Sequence, residues 1–277
     1  MLLPAFAFFL LTFAVPMAIV GRLSFYETNF AGNTWVGVLN YVNAVRDSYF
    51  VKSFGNALIL VALICPLSIV ASYTIASFLS GFNSKVQAAG RFIIYIPGLA
   101  SGIVMALLWK WLLHKAGLVN QFTALVGIPA VPWLTEVWPS RFSLAMIALM
   151  SGLGGNVIMF SAAMQQMSKE LRDAAMIDGC SERMYKRHIV RPLMTPTVLL
   201  LLLLSIVGMM QMWETVYILW DNGGPEGGIS SPVYEIFLTA FEFGKKGYAA
   251  AKGIILMAVI AVILVVKQRV ERWVGYE

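Results

Sequence analysis

The chain is built from apolar runs long enough to cross a bilayer, separated by shorter polar stretches, and that alternation restricts the folds open to it. A membrane-crossing helix needs roughly 20 mainly apolar residues. The first run, Leu2 to Val20, is closed by Arg22. It has no basic start and an over-long apolar part, so it reads as a span and not as a cleavable signal. Ser53 to Ser84 is charge-free for 32 residues, enough for one tilted helix and a turn at Gly81, Phe82 and Asn83. Phe92–Trp109, Phe142–Met167, Leu193–Trp220 and Tyr248–Val266 supply four more runs, which brings the expected count to six. Lys252 sits near the end of the last run, where its long stem lets the ammonium reach the interface.

Composition agrees. The hydrophobic fraction is 59% and only 12% of residues are charged, where a soluble domain carries about 25%. The fold class expected is an all-α integral membrane protein. Residues 116–135 are also charge-free, but they hold Asn120, Gln121, Gly117, Gly127, Pro129 and Pro132. In lipid each unsatisfied backbone group costs several kcal/mol, so this stretch reads as an external loop or an interfacial turn. The domains expected are 1–52, the first span and an external loop; 53–268, the main transmembrane domain; and 269–277, a cytoplasmic tail.

The net charge of +6 does not point to nucleic acid, because the basic residues flank apolar runs instead of forming a stripe. They serve orientation: eleven of the twenty Lys and Arg fall in the second loop, the fourth loop and the tail. The basic side is the cytoplasmic one, which places both termini and the fourth loop in the cytoplasm. No phosphate-cradling G-x-x-x-x-G-K-[ST], no H-E-x-x-H and no G-x-S-x-G occurs. His114 and His188 make no metal cluster, and Cys65 and Cys180 make no disulfide framework. Neither an enzyme nor a cofactor site is expected in this chain.

The fourth loop, Lys169 to Pro196, is the one long polar segment, with six of the chain's twenty Lys and Arg. Leu171, Ala174, Ala175 and Asp178 fall at helical spacing among good helix formers, giving a small-residue face that another surface could approach. Gly179 supplies the positive φ that ends a helix, Ser181 caps a second helix, and Pro192 suits the first turn of the next. On these features alone the segment is either an ordinary solvated hairpin or a docking element.

The same residues resemble the EAA loop of the permease subunits of binding-protein-dependent ABC importers. That pattern, E-L-x-E-A-A-x-I-D-G-A-S followed by an aromatic and I-x-x-P-L-x-x-P, is met by Glu170, Leu171, Ala174, Ala175, Ile177, Asp178, Gly179, Ser181, Tyr185, Ile189, Pro192, Leu193 and Pro196. Asp173 replaces Glu, Cys180 replaces Ala, and Met167-Ser168 stands where Ile-Pro is usual, which leaves the entry to the loop less rigid. The resemblance implies the six-helix type I importer permease fold with a cytoplasmic coupling helix. It implies that Glu170, Leu171, Asp173, Ala174, Ala175, Ile177, Asp178 and Gly179 dock on a separate ATPase subunit, which binds the ATP and Mg²⁺. The further partners implied are a second permease subunit, a second ATPase copy, an extracytoplasmic solute-binding protein and the bilayer of the inner membrane.

Further positions are similar to the carbohydrate-type group of that family: Trp35, Gly37, Leu39, Asn40 and Tyr41, for its W-x-G-x-x-N-Y; Gly154 and Asn156, with Met150 where a tryptophan is expected; and Gly223-Gly224-Pro225 followed by Tyr234, Phe241 and Gly247-Tyr248-Ala249-Ala250-Ala251, with Ala250 in place of Ser. The resemblance implies import of a sugar or oligosaccharide, or, with the same machinery, of a polyol or a glycerol-3-phosphate-like solute. Read physically, Glu214 on the fifth run is expensive in lipid and calls for a water-filled cavity, which makes it a candidate for the cargo path. Trp213 and Tyr217, with Trp220, share a helix face and suit either sugar rings or an interfacial aromatic belt. Asn156 suits either cargo or a neighbouring helix. A self-sufficient secondary transporter would be expected to carry internal repeats and midplane coupling carboxylates, which the chain does not display. The chain begins directly at its first span, where many relatives have a basic leader, so its start reads as trimmed or naturally short.

Overall fold

The protein is described by a computed structural model covering residues 3–29 and 32–273. Leu2, the expected start of the first span, and residues 274–277 of the tail lie outside the described residues. Among the described residues, four helices are long and apolar enough to cross a membrane: Pro4–Leu23, Ser48–Leu79, Val137–Gln165 and Lys246–Arg272. Two bent pairs complete the set, Ser84–Leu99 with Gly102–Leu112 and Glu182–Leu193 with Thr195–Gln211, so that six spans result when each pair counts as one. Residues 116–135 form no span. They carry the short helix Leu118–Leu125 and a loop folded around buried Asn120. Its amide donates to the Lys115 and Val131 carbonyls, both at 3.1 Å, and accepts from the Trp133 indole at 3.0 Å.

The expected run boundaries shift for identifiable reasons. The second span begins at Ser48 because Asp47 caps it, accepting from the N–H groups of Tyr49 (3.0 Å) and Phe50 (3.2 Å). It ends at Leu79, and Asn83 caps the third span by accepting from Val86 N–H at 3.0 Å. The third run is not one helix. It breaks at Ala100 and Ser101, which are extended, and its two halves meet at 87°. Pro97 lies in the last turn before the break and donates no backbone hydrogen bond; Ser101 starts the new helix by accepting from Val104 N–H at 3.3 Å. The fifth run, expected to be continuous from Leu193 to Trp220, ends at Gln211. Met212 is extended, and a separate short helix runs from Glu214 to Leu219.

The second and fourth spans form the centre of the molecule, and the first half of the third packs on the fourth. Gly154 permits that approach: a Cβ there would lie 2.5 Å from the Tyr95 Cα. The first span touches the rest of the bundle along the sixth and is otherwise uncovered. At the end opposite the polar hairpin, strands Tyr26–Asn29 and Gly32–Trp35 pair antiparallel. The W-x-G-x-x-N-Y residues fold this cap: Asn40 donates to the carbonyls of Ser24 and Tyr26, both at 2.9 Å, and Trp35 stacks on Phe25 at 5.6 Å.

Lys252 does not reach outward. It is 2% exposed, paired with Asp47 at 2.8 Å, and hydrogen-bonded to Thr239 at 3.0 Å, with the Tyr248 ring 4.7 Å away. The sixth span sets it against the capping residue of the second, so a partner was nearer than the interface. Burial opposes ionisation of Asp47, but Lys252, the Phe50 N–H and the Tyr248 hydroxyl outweigh it and hold the carboxyl below the usual carboxylate range. Burial pushes the neighbouring Glu235 carboxyl up, against a hydrogen bond from Ser230 and the attraction of Lys252.

Candidate functional site

The polar segment between the fourth and fifth spans folds as a hairpin of two short helices. Helix Lys169–Ile177 starts at Ser168, whose hydroxyl accepts from Leu171 N–H at 3.2 Å. A side-chain cap thus fixes the entry where relatives use proline, and the reduced rigidity expected there is offset. Glu170 lies in the first turn, at the positive end of the helix. The helix closes with Gly179 at φ +80°, its N–H bonded to the Met176 carbonyl at 3.1 Å and Cys180 N–H bonded to the Ala175 carbonyl at 2.9 Å. That pair of bonds is the Schellman arrangement, and a left-handed residue is required in it. A Cβ on Gly179 would meet nothing, so the demand is on φ and not on space.

Ser181 then caps Glu182–Tyr185, accepting from Met184 N–H at 3.3 Å, and a π-helical turn, Lys186–Val190, leads through Pro192 into the fifth span. Tyr185, Val190 and Met194 are buried with Ala76, Leu79 and Phe160 in one apolar cluster. Lys186 donates to the Ser77 carbonyl at 3.1 Å, and Arg172 pairs with Glu182 at 3.0 Å across the two helices. The hairpin is therefore clamped to the ends of the second and fourth spans.

The face it presents differs from the one the spacing suggested. Ala175 is 7% exposed and joins the apolar cluster beneath the hairpin. Glu170, Leu171, Asp173, Ala174, Ile177, Asp178 and Gly179 are exposed, Ile177 at 86%. The outward stripe is Glu170, Asp173, Ala174 and Ile177, three and four residues apart. One alanine admits close approach from outside while its neighbour seats the helix. Sequence reasoning missed the Ser168 cap, although Ser before a charged helical stretch is a start signal. It also missed the Lys186 and Arg172 ties, for which no local signal exists.

The other candidate residues lie away from the hairpin. Asn156 donates to Ser68 Oγ at 2.9 Å and so joins the fourth span to the second. Trp213 stacks on Phe237 at 4.4 Å between ring centroids, Tyr217 meets the same ring at 5.2 Å, and the Tyr217 hydroxyl donates to Glu242 at 3.2 Å. Trp220 turns inward, 4% exposed, with its indole N–H on Ser140 Oγ at 3.1 Å. Glu214 opens the short helix after the break in the fifth span, its carboxylate over Gly102.

Six spans and a capped hairpin clamped beneath the second and fourth describe an all-α, multi-span membrane protein. Residues 68–276 match the family described as binding-protein-dependent transport system inner membrane component, and the chain belongs to that family. It is similar to the arabinooligosaccharides transport system permease protein AraP of Bacillus subtilis, at 28% identity over 92% of this chain and 82% of the relative. It is similar to the lactose transport system permease protein LacF of Rhizobium radiobacter, at 25% identity over 82% and 78%. It is also similar to the sn-glycerol-3-phosphate transport system permease protein UgpA of Yersinia pestis, at 26% identity over 88% and 82%. The same fold occurs in the crystal structure of a bacterial ABC transporter involved in the import of the acidic polysaccharide alginate, with a TM-score of 0.86, 22% identity, and 99% and 94% of the two chains covered.

Proposed function

We propose that this chain forms half of the translocation path of an ATP-driven importer for a sugar or oligosaccharide. The hairpin carries the reading: seven family-pattern residues stand exposed on an element clamped to the central spans, so a push on the hairpin is delivered to the bundle. Glu170 and Asp173 offer carboxylates to basic or N–H donors of a separate ATPase subunit, Ala174 and Gly179 admit close contact, and Leu171, Ile177 and Asp178 complete the patch. Ala175 seats the helix from within. ATP and Mg²⁺ belong to that ATPase, since the chain has no phosphate-cradling motif. The hairpin and both termini then lie in the cytoplasm, and the strand cap lies outside with the binding protein. Residues 53–268 form the transmembrane domain proper, 1–52 an added span and outer cap, and 269–277 a tail.

The carbohydrate cargo rests on the named relatives, whose cargoes are oligosaccharide, lactose and sn-glycerol-3-phosphate. The last favours a second reading, a polyol or glycerol-3-phosphate-like solute. The two breaks support a path between the spans. Each lies inside an apolar run, Phe92–Trp109 and Leu193–Trp220, and irregular backbone in lipid is tolerated only beside protein or a water-filled cavity. Trp213, Tyr217 and Asn156 stand near or along that path. The first span, bare on most sides, has room for a second permease subunit. The test is to tag the chain, purify it in mild detergent, identify what accompanies it, and measure uptake in proteoliposomes. A co-purifying ATPase and second permease with ATP-dependent uptake supports the reading; transport by this chain alone overturns it.

A further inference from the structure

The third span is broken at Ala100–Ser101, the fifth run ends at Gln211 with a separate short helix after it, and the two segments beyond these points lie side by side. Helix Gly102–Leu112 starts after extended Ala100 and Ser101; helix Glu214–Leu219 starts after extended Met212. The two pack together through Met105, Ala106, Trp109, Val216, Leu219 and Trp220, all buried in one cluster. They run in the same direction, because start meets start and end meets end. At the starts, the Glu214 carboxylate rests on Gly102 so closely that a Cβ there would lie 2.6 Å from Oε2. At the ends, Lys110 Nζ donates to the Ile218 carbonyl at 2.9 Å.

The pattern is reciprocal. The first turn of a helix leaves N–H groups without partners and carries partial positive charge; the last turn leaves carbonyls and partial negative charge. Helix Gly102–Leu112 receives an acid at its start from the other segment. That segment receives a base at its last carbonyls in return. Glu214 is therefore held against another helix of the chain, and that contact accounts for its placement without cargo.

We propose that Glu214 and Lys110 are positioning residues that clamp the segments beyond the breaks in spans three and five into one body, which turns about Ala100–Ser101 and Met212–Trp213 when the path opens. Glu214 then acts on the half-helices and not on cargo. The assignment rests on the importer reading, and its test has one arm that does not.

The first arm measures uptake per ATP hydrolysed in proteoliposomes holding the full complex. Glu214→Gln, Lys110→Met and Gly102→Ala should each lower it about fivefold, the scale of a partly buried charge at a helix terminus. The KM for cargo-loaded binding protein should not move. Gly102→Ala is the informative variant, since it keeps the carboxylate and only displaces it. If Glu214→Gln raises KM while the other two behave as wild type, Glu214 touches cargo and the clamp is wrong. Wild-type ratios in all three overturn it as well. The second arm is the thermal stability of the purified complex. The effects of Gly102→Ala and Glu214→Gln should be strongly non-additive, because both act through one contact. Additive effects overturn the clamp even if no ATP-dependent uptake is found, an outcome that would remove the importer reading separately.

Discussion

The helix ends of the hairpin and the loop of residues 221–231 at the other end of the molecule are fixed in different ways. The hairpin's helix ends are encoded locally, Ser168, Gly179 and Ser181 each setting one through residues within a few positions, while Lys186 and Tyr185 tie the folded hairpin to the spans. At the far end the ties cross the chain. Arg141 donates to Asn56 Oδ1 at 3.1 Å and to the Gly228 carbonyl at 3.2 Å, Lys52 donates to the Glu226 carbonyl at 2.6 Å, and Lys252 pairs with Asp47 at 2.8 Å. Helix ends set by capping residues are specified by the sequence beside them. A region assembled from several spans has to be specified by contacts between them. The first leaves one continuous motif, and the second leaves short separated ones such as Gly223-Gly224-Pro225 and Gly247-Tyr248.

The largest effect should come from breaking the local code. Proline fixes φ near −65° and has no N–H, so Gly179→Pro cannot adopt φ +80° or bond Met176. Uptake should fall to background while insertion, checked by membrane fractionation, is unchanged. Ala174→Arg leaves the hairpin folded and should weaken retention of the ATPase about tenfold or more in pull-down titrations, as a charge forced into an interface centre does. Unimpaired retention would remove Ala174 from the docking face.

Lys252→Met should act through stability and not through coupling. Removing one partner of a buried pair leaves the other uncompensated, a loss of about 3 kcal/mol, visible as a lower denaturation midpoint. Acid gives a graded version. The Asp47 carboxyl is held low in the folded state, so its contribution is complete above the unfolded value of about 3.9 and fades as pH falls through the lower folded value. Glu235, pushed up by burial, has the opposite sign and favours the fold at low pH. Thermal unfolding between pH 6 and 3 should therefore fall less steeply for Asp47→Asn than for wild type. The smallest effect belongs to the exposed Arg172–Glu182 pair: Arg172→Ala should cost under about 0.5 kcal/mol, and a larger loss would mean that the hairpin is less locally determined than its caps imply.

The span count was legible because every crossing needs an apolar run of known length, and Asn120 with its prolines marked residues 116–135 as something else. The hairpin, its Gly179 turn and the Ser181 cap were legible for the same local reason. The breaks were not. Pro97 permits a bend without demanding one, and nothing near Met212 in sequence announces an extended residue. Lys252 was misplaced because its partner Asp47 is remote in sequence. Ala174 and Ala175 are equivalent until the spans decide which of them faces inward.

The uncovered first span carries its own record of what surrounds it. Phe6, Phe8, Phe9, Leu11 and Phe13 are all more than half exposed and point in several directions around the helix. Fluid acyl chains adapt to any apolar shape, whereas a protein neighbour does not. Replacing these residues one at a time with other apolar side chains should be silent on directions that meet lipid and harmful on a single stripe that meets protein. The tolerance pattern of this one helix would then map the edge of the assembled transporter without a structure of the assembly.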